Sequence, residues 1–117
     1  MPFETFWYAE PRITVGRFHG VVTMDELHEA NQVAIERIRA GEPPVHVIVD
    51  TLAIERVPVS VRAITDLIAY TREPQLGWII YIADNRFIRF LSSVVAQVAG
   101  ANFHNARTME DGLDALI

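Results

Sequence analysis

The chain of 117 residues has no cysteine, which excludes disulfide frameworks, thiolate metal sites and cysteine nucleophiles. Its six glycines stand singly, so no glycine-rich loop is present to cradle a phosphate. Basic residues are few beside acidic ones, and ten against fifteen leave a formal net charge of -5 at pH 7. Nucleic-acid binding needs a clustered basic surface that displaces counterions, so nucleic acid is not an expected partner. The longest apolar stretches, Trp78 to Ala83 and Val94 to Gly100, fall far short of the roughly 20 residues needed to cross a bilayer, so the chain is not expected to span one. The opening Met1-Pro2-Phe3-Glu4 lacks the basic start and apolar core of a secretory leader, and the expected location is cytoplasmic.

Catalytic signatures are missing as well. The four histidines, His19, His28, His46 and His104, are never spaced to preorganise two imidazoles, so no metal centre is expected. Ser92-Ser93 lies in an apolar segment without the strained glycine turn or adjacent base of a serine nucleophile. The carboxylate pairs Asp25-Glu26 and Glu110-Asp111 fall in first helical turns, where they stabilise the positive helix end. No cofactor is implied.

Half of the residues are hydrophobic, enough for one cooperative core, and residues 1–117 are expected to form a single domain. Aromatic residues in Glu4 to Ala9 and alternation in Arg12 to Phe18, around Glu10-Pro11, predict a β-hairpin. Thr23 and Glu26 form a capping box for a helix whose apolar residues Leu27, Ala30, Ala34 and Ile38 recur at helical spacing. Gly41 and Pro43-Pro44 end it near Ala40. Val45 to Val49, stopped by Asp50, reads as an interior parallel strand, followed by an irregular stretch from Thr51 to Val57 and a helix from Pro58 to about Tyr70. Trp78 to Ile82 repeats the strand signature, and Asp84-Asn85 caps a helix carrying Phe87, Phe90, Leu91, Val94 and Val98 up to Gly100. A short strand around Asn102 to Ala106 and a helix after Thr108 complete a β-β-α-β-α-β-α-β-α order, which implies right-handed crossovers over a mainly parallel sheet.

Gly20-Val21-Val22-Thr23 before the capped helix, Val47-Ile48-Val49-Asp50, and Leu76-Gly77-Trp78 before Asn85-Arg86-Phe87 together resemble the SpoIIAA-like branch of the STAS superfamily, whose members are small bacterial proteins. The resemblance implies an α/β fold with a mainly parallel sheet in a βα superhelix behind an N-terminal β-hairpin, and helices on one face. It also implies a non-catalytic regulatory or protein-interaction role. Antagonist members of that superfamily carry Asp-Ser-Ser-Gly with a phosphorylated serine after the third strand. Here the region reads Glu55-Arg56-Val57-Pro58-Val59-Ser60, so the motif is absent and Ser60 is the nearest hydroxyl, the possible phosphosite.

In open parallel sheets ligands gather beyond the carboxyl ends of strands. That rule selects Asp50 and Thr51 after one strand, and Asp84, Asn85, Arg86 and Arg89 after the next. Arginines in a first helical turn oppose the macrodipole, which an anionic ligand or a neighbouring carboxylate would offset. The expected partners are a second copy or another protein at this surface, with a small anionic or amphipathic ligand as the alternative. Surplus apolar residues on the third helix add to the case for self-association or an apolar pocket, unless the hairpin's Phe6, Trp7 and Tyr8 cover them.

Overall fold

The capping box forms as the sequence predicts. Thr23 Oγ1 accepts from Glu26 N at 3.3 Å and Glu26 Oε1 accepts from Thr23 N at 2.9 Å, starting α1 (Met24–Ala40). Hydrogen bonding to the carboxylate from the Thr23 side chain and from Thr23 N favours the ionised form and holds the Glu26 pKa below its ordinary value. Gly41 ends the helix for a steric reason. A Cβ there would lie 2.5 Å from Pro11 O and 2.7 Å from a Val45 methyl, so only glycine lets the helix end abut the hairpin turn.

In this computed structural model the described residues are 3–56, 73–84, 86, 89, 90, 93, 94, 97, 100 and 102–116. Five strands form one sheet in the order β1-β2-β3-β4-β5. They are β1 (Phe3–Ala9), β2 (Ile13–Val21), β3 (Val45–Arg56), β4 (Leu76–Ile82) and β5 (Phe103–Ala106). The β1–β2 hairpin is antiparallel and every other pairing is parallel, so β3 and β4 are interior strands each flanked by two parallel neighbours. Arg86, Arg89, Phe90, Ser93, Val94 and Gln97 are helical, and Gly100 follows with φ +69, a conformation open to glycine at little cost. The chain then enters β5 and α2 (Met109–Asp114), where Thr108 Oγ1 accepts from Asp111 N at 3.1 Å. The helix expected from Pro58, the possible phosphosite Ser60, and Asn85 lie outside the described residues.

Two expectations are corrected. The stretch after Asp50 is not irregular, because Thr51 to Arg56 continue β3 by pairing with the far end of β2 through Ala53 and Ile54. Nor do the helices share one face. Alternation sends Val45, Val47, Ile79 and Tyr81 to the side covered by Ile38 of α1, while Ile48, Ile80 and Ile82 face Met109 and Leu113 of α2 on the other. Both faces of the sheet are therefore core. A Cβ on Gly112 would come within 2.9 Å of Ile80, which shows how closely α2 approaches the sheet.

The aromatic hairpin contributes to both layers. Trp7 packs with the α1-side cluster and Phe6 with the α2-side cluster, whereas Tyr8 stays 56% exposed. Arg37 of α1 bonds the Thr5 hydroxyl at 3.2 Å with its guanidinium over the Trp7 ring, tying helix to edge strand.

Candidate functional site

The continuation of β3 changes the setting of the first candidate pair. Asp50 is a buried mid-strand residue, 7% exposed, at the level where β2 places Arg17. Arg17 Nε donates to Asp50 Oδ2 at 3.1 Å, Arg17 Nη1 lies 3.7 Å from Glu4 Oε1, and the guanidinium sits over the Phe6 ring. Carboxylate, guanidinium and carboxylate thus form a ladder across three adjacent strands. The second Asp50 oxygen accepts from Leu52 N at 3.1 Å within a β-bulge, where Thr51 and Leu52 of β3 oppose Phe18 of β2. Thr51 Oγ1 donates to Ile82 O at 2.8 Å. The side-chain groups of Asp50 and Thr51 are both engaged inside the fold.

The second candidate group is differently placed. Ala83 N donates to Ala106 O at 3.1 Å, so the chain past β4 and the chain past β5 leave the sheet side by side. Asp84, Arg86 and Arg107 are exposed there and Arg89 is half-buried. No ion pair joins any of these four to another described residue, whereas Arg12, Arg17, Arg37 and Arg39 each engage a carboxylate or a hydroxyl. Beside Arg86 and Arg89 stands Phe90, 67% exposed and the most exposed large hydrophobic residue described. Ser93 fixes this helical segment over the sheet: its hydroxyl donates to Arg89 O at 2.9 Å and accepts from Asn105 Nδ2 at 3.1 Å. Asn105 shares a strand face with Phe103, which packs in the α1-side cluster.

The structure therefore brings Asp84, Arg86 and Arg89 to one end of the sheet, while Asp50, level with Ile82 in β4, is compensated within the sheet by Arg17. Sequence reading missed Arg17, Phe90 as an exposed residue, and Arg107. The alternation of Arg17 with Ile13 and Val15 put it on a definite strand face, but only cross-strand register reveals Asp50 as its neighbour.

His46 has a structural part in the sheet. Its Nδ1 accepts from Trp78 N at 2.9 Å, supplying an acceptor where β4 bulges away from β3. Burial and the nearby Arg12 lower its pKa, which favours the neutral ring that can accept. A Cβ on Gly77 would fall 2.5 Å from Nδ1, so this contact requires glycine. Among the described residues no three His, Asp or Glu side chains gather as a metal site, and no helix is long and apolar enough to cross a membrane.

The arrangement is that of an α/β protein with a mixed, mostly parallel five-stranded sheet. No known family's sequence profile matches the chain, and neither does any curated protein sequence. Among solved structures it is similar to an uncharacterised protein of the DUF3478 family with a SpoIIAA-like fold from Shewanella loihica. The TM-score is 0.70 at 12% identity, over 98% of this chain and 92% of that one. The chain has a SpoIIAA-like fold, and at this identity the likeness carries the fold alone.

Proposed function

We propose that this chain is a single-domain, cytoplasmic, non-catalytic regulatory module that works by binding a protein partner at the carboxyl ends of β4 and β5. The observation carrying the reading is Phe90, 67% exposed beside Arg86 and Arg89. Aromatic side chains, phenylalanine included, and arginine are enriched at protein interfaces, where each offers a large contact area. Asp84 and Arg107 supply the polar rim. The compensated Glu4–Arg17–Asp50 ladder stays outside the recognition surface.

A photo-crosslinking residue placed at position 90, compared with one at the exposed Glu36 position of α1, tests this in cells of the source organism. A discrete protein adduct from position 90 and none from position 36 is expected. Equal labelling from both positions, or none from either, overturns the reading.

A second reading is favoured by the arginines themselves: a carrier or sensor of a small anionic or amphipathic molecule, with Arg86 and Arg89 holding its acidic end. Its mark is a ligand retained on purification and seen by native mass spectrometry. Thermal stabilisation by medium-chain fatty acids that disappears in Arg86→Ala supports it, and bare protein indifferent to those acids rejects it.

A further inference from the structure

The edge strand β5 separates two borders of opposite net sign, since the exposed Asp84 leaves Arg86 and Arg89 in excess on one and the exposed Arg107 leaves the α2 carboxylates in excess on the other. On the α1 side, anchored through Ser93 and Asn105, are Arg86, Arg89 and the exposed Phe90. On the other side, packed through Met109 and Leu113, is α2, whose Glu110 and Asp114 are exposed one turn apart and whose last turn has no basic residue. Because β4 and β5 are parallel, the segments that follow them both start from the same end of the sheet, so the two borders lie at one height along the edge.

We propose that this edge is the interface of a homodimer in which a two-fold axis runs parallel to β5. Rotation about such an axis exchanges the two faces of the sheet while keeping the strand direction. It sets Arg86 and Arg89 against the partner's Glu110 and the partner's Asp114, and the same contact recurs on the opposite face. An isologous interface has to be self-complementary, and a surface with cations on one border and carboxylates on the other meets that requirement. A dyad perpendicular to the sheet would keep each face on its own side and carry the partner's carboxylates to the other face, out of reach of the arginines. Phe90, on the cationic border, supplies the apolar area that charge pairs at a solvated rim do not. The second copy is thus the occupant that the charge pattern specifies. The inference rests on the interaction reading given above and names its partner.

Mixing charge-reversed variants tests it. The wild-type chain is expected to sediment at micromolar concentration with twice its 13.2 kDa mass and to dissociate as salt is raised. The double variants Arg86→Glu with Arg89→Glu, and Glu110→Arg with Asp114→Arg, should each be monomeric, with self-association weakened about tenfold or more. Their equimolar mixture should recover the dimer mass, since each variant then meets its opposite sign. Thermal melting checks that each variant folds, and the single exchanges Arg86→Glu and Asp114→Arg repeat the mixing if a double variant does not. A monomeric wild type, or a mixture that stays monomeric, overturns the dimer. A crosslink from position 90 to a different protein, with the wild type monomeric, would remove this inference while leaving the interaction reading standing.

Discussion

Asp50 and Asp84 close two apolar runs of nearly the same length, and in sequence they occupy the same kind of position. β4 does stop just before Asp84, at Ile82, and the side chain there is exposed. β3 runs on past Asp50 because β2 is long enough to keep pairing with it, so that carboxylate is enclosed and must be neutralised where it stands. Arg17 does so from the neighbouring strand. The two regions show that strand length is a property of the pair. They also show that charge compensation follows register: the arginines nearest Asp84 in sequence stay unpaired among the described residues, while Asp50 is paired across 33 positions.

Substitutions in the two regions should therefore differ sharply in what they disturb. Asp50→Ala removes the partner of Arg17 and the acceptor of Leu52 N in one step, leaving a backbone donor unpaired in the bulge. A loss of about 2–3 kcal/mol is expected in urea unfolding, toward the lower end because Arg17 can turn to water. A loss under about 0.5 kcal/mol would mean the ladder is ornamental.

An intermediate effect is expected at His46. Its folded-state pKa lies below the unfolded value, so its contribution is fully present above about pH 6.5 and is lost as pH falls through the folded value. Protonation would set a ring N–H against the Trp78 N–H and cost about 1 kcal/mol. His46→Asn, which offers an acceptor that does not titrate, should flatten the pH dependence of the melting temperature between pH 7 and about pH 5. Identical slopes in wild type and variant would disprove the assignment.

The smallest change in stability belongs to the other region. Arg86→Ala and Arg89→Ala should each shift unfolding by less than about 0.5 kcal/mol, since neither has an ion pair to lose among the described residues. Both should nevertheless weaken partner binding. A destabilisation as large as that of Asp50→Ala would make these arginines structural and erase the contrast between the two regions.

Much of the architecture was legible beforehand. The hairpin, the capped α1, the interior β3, and the β4 and β5 strands follow from period, capping pairs and turn residues that act within a few positions. The layer arrangement was not, since α2 is amphipathic whichever face it covers and only the packing of Met109 and Leu113 against Ile80 and Ile82 fixes its side. Gly77 carries a similar lesson, since only the fold shows that it makes room for the His46 ring.

Local chemistry thus determined which segments of this chain become strands and helices, and that no thiol chemistry is open to it, because those properties depend on neighbouring residues and on composition. The tertiary structure decided which charges meet, which helix covers which face, and that Phe90 and the arginines beside it stay open to solvent. Such outcomes depend on register and packing between segments that lie tens of residues apart, and no local pattern records them.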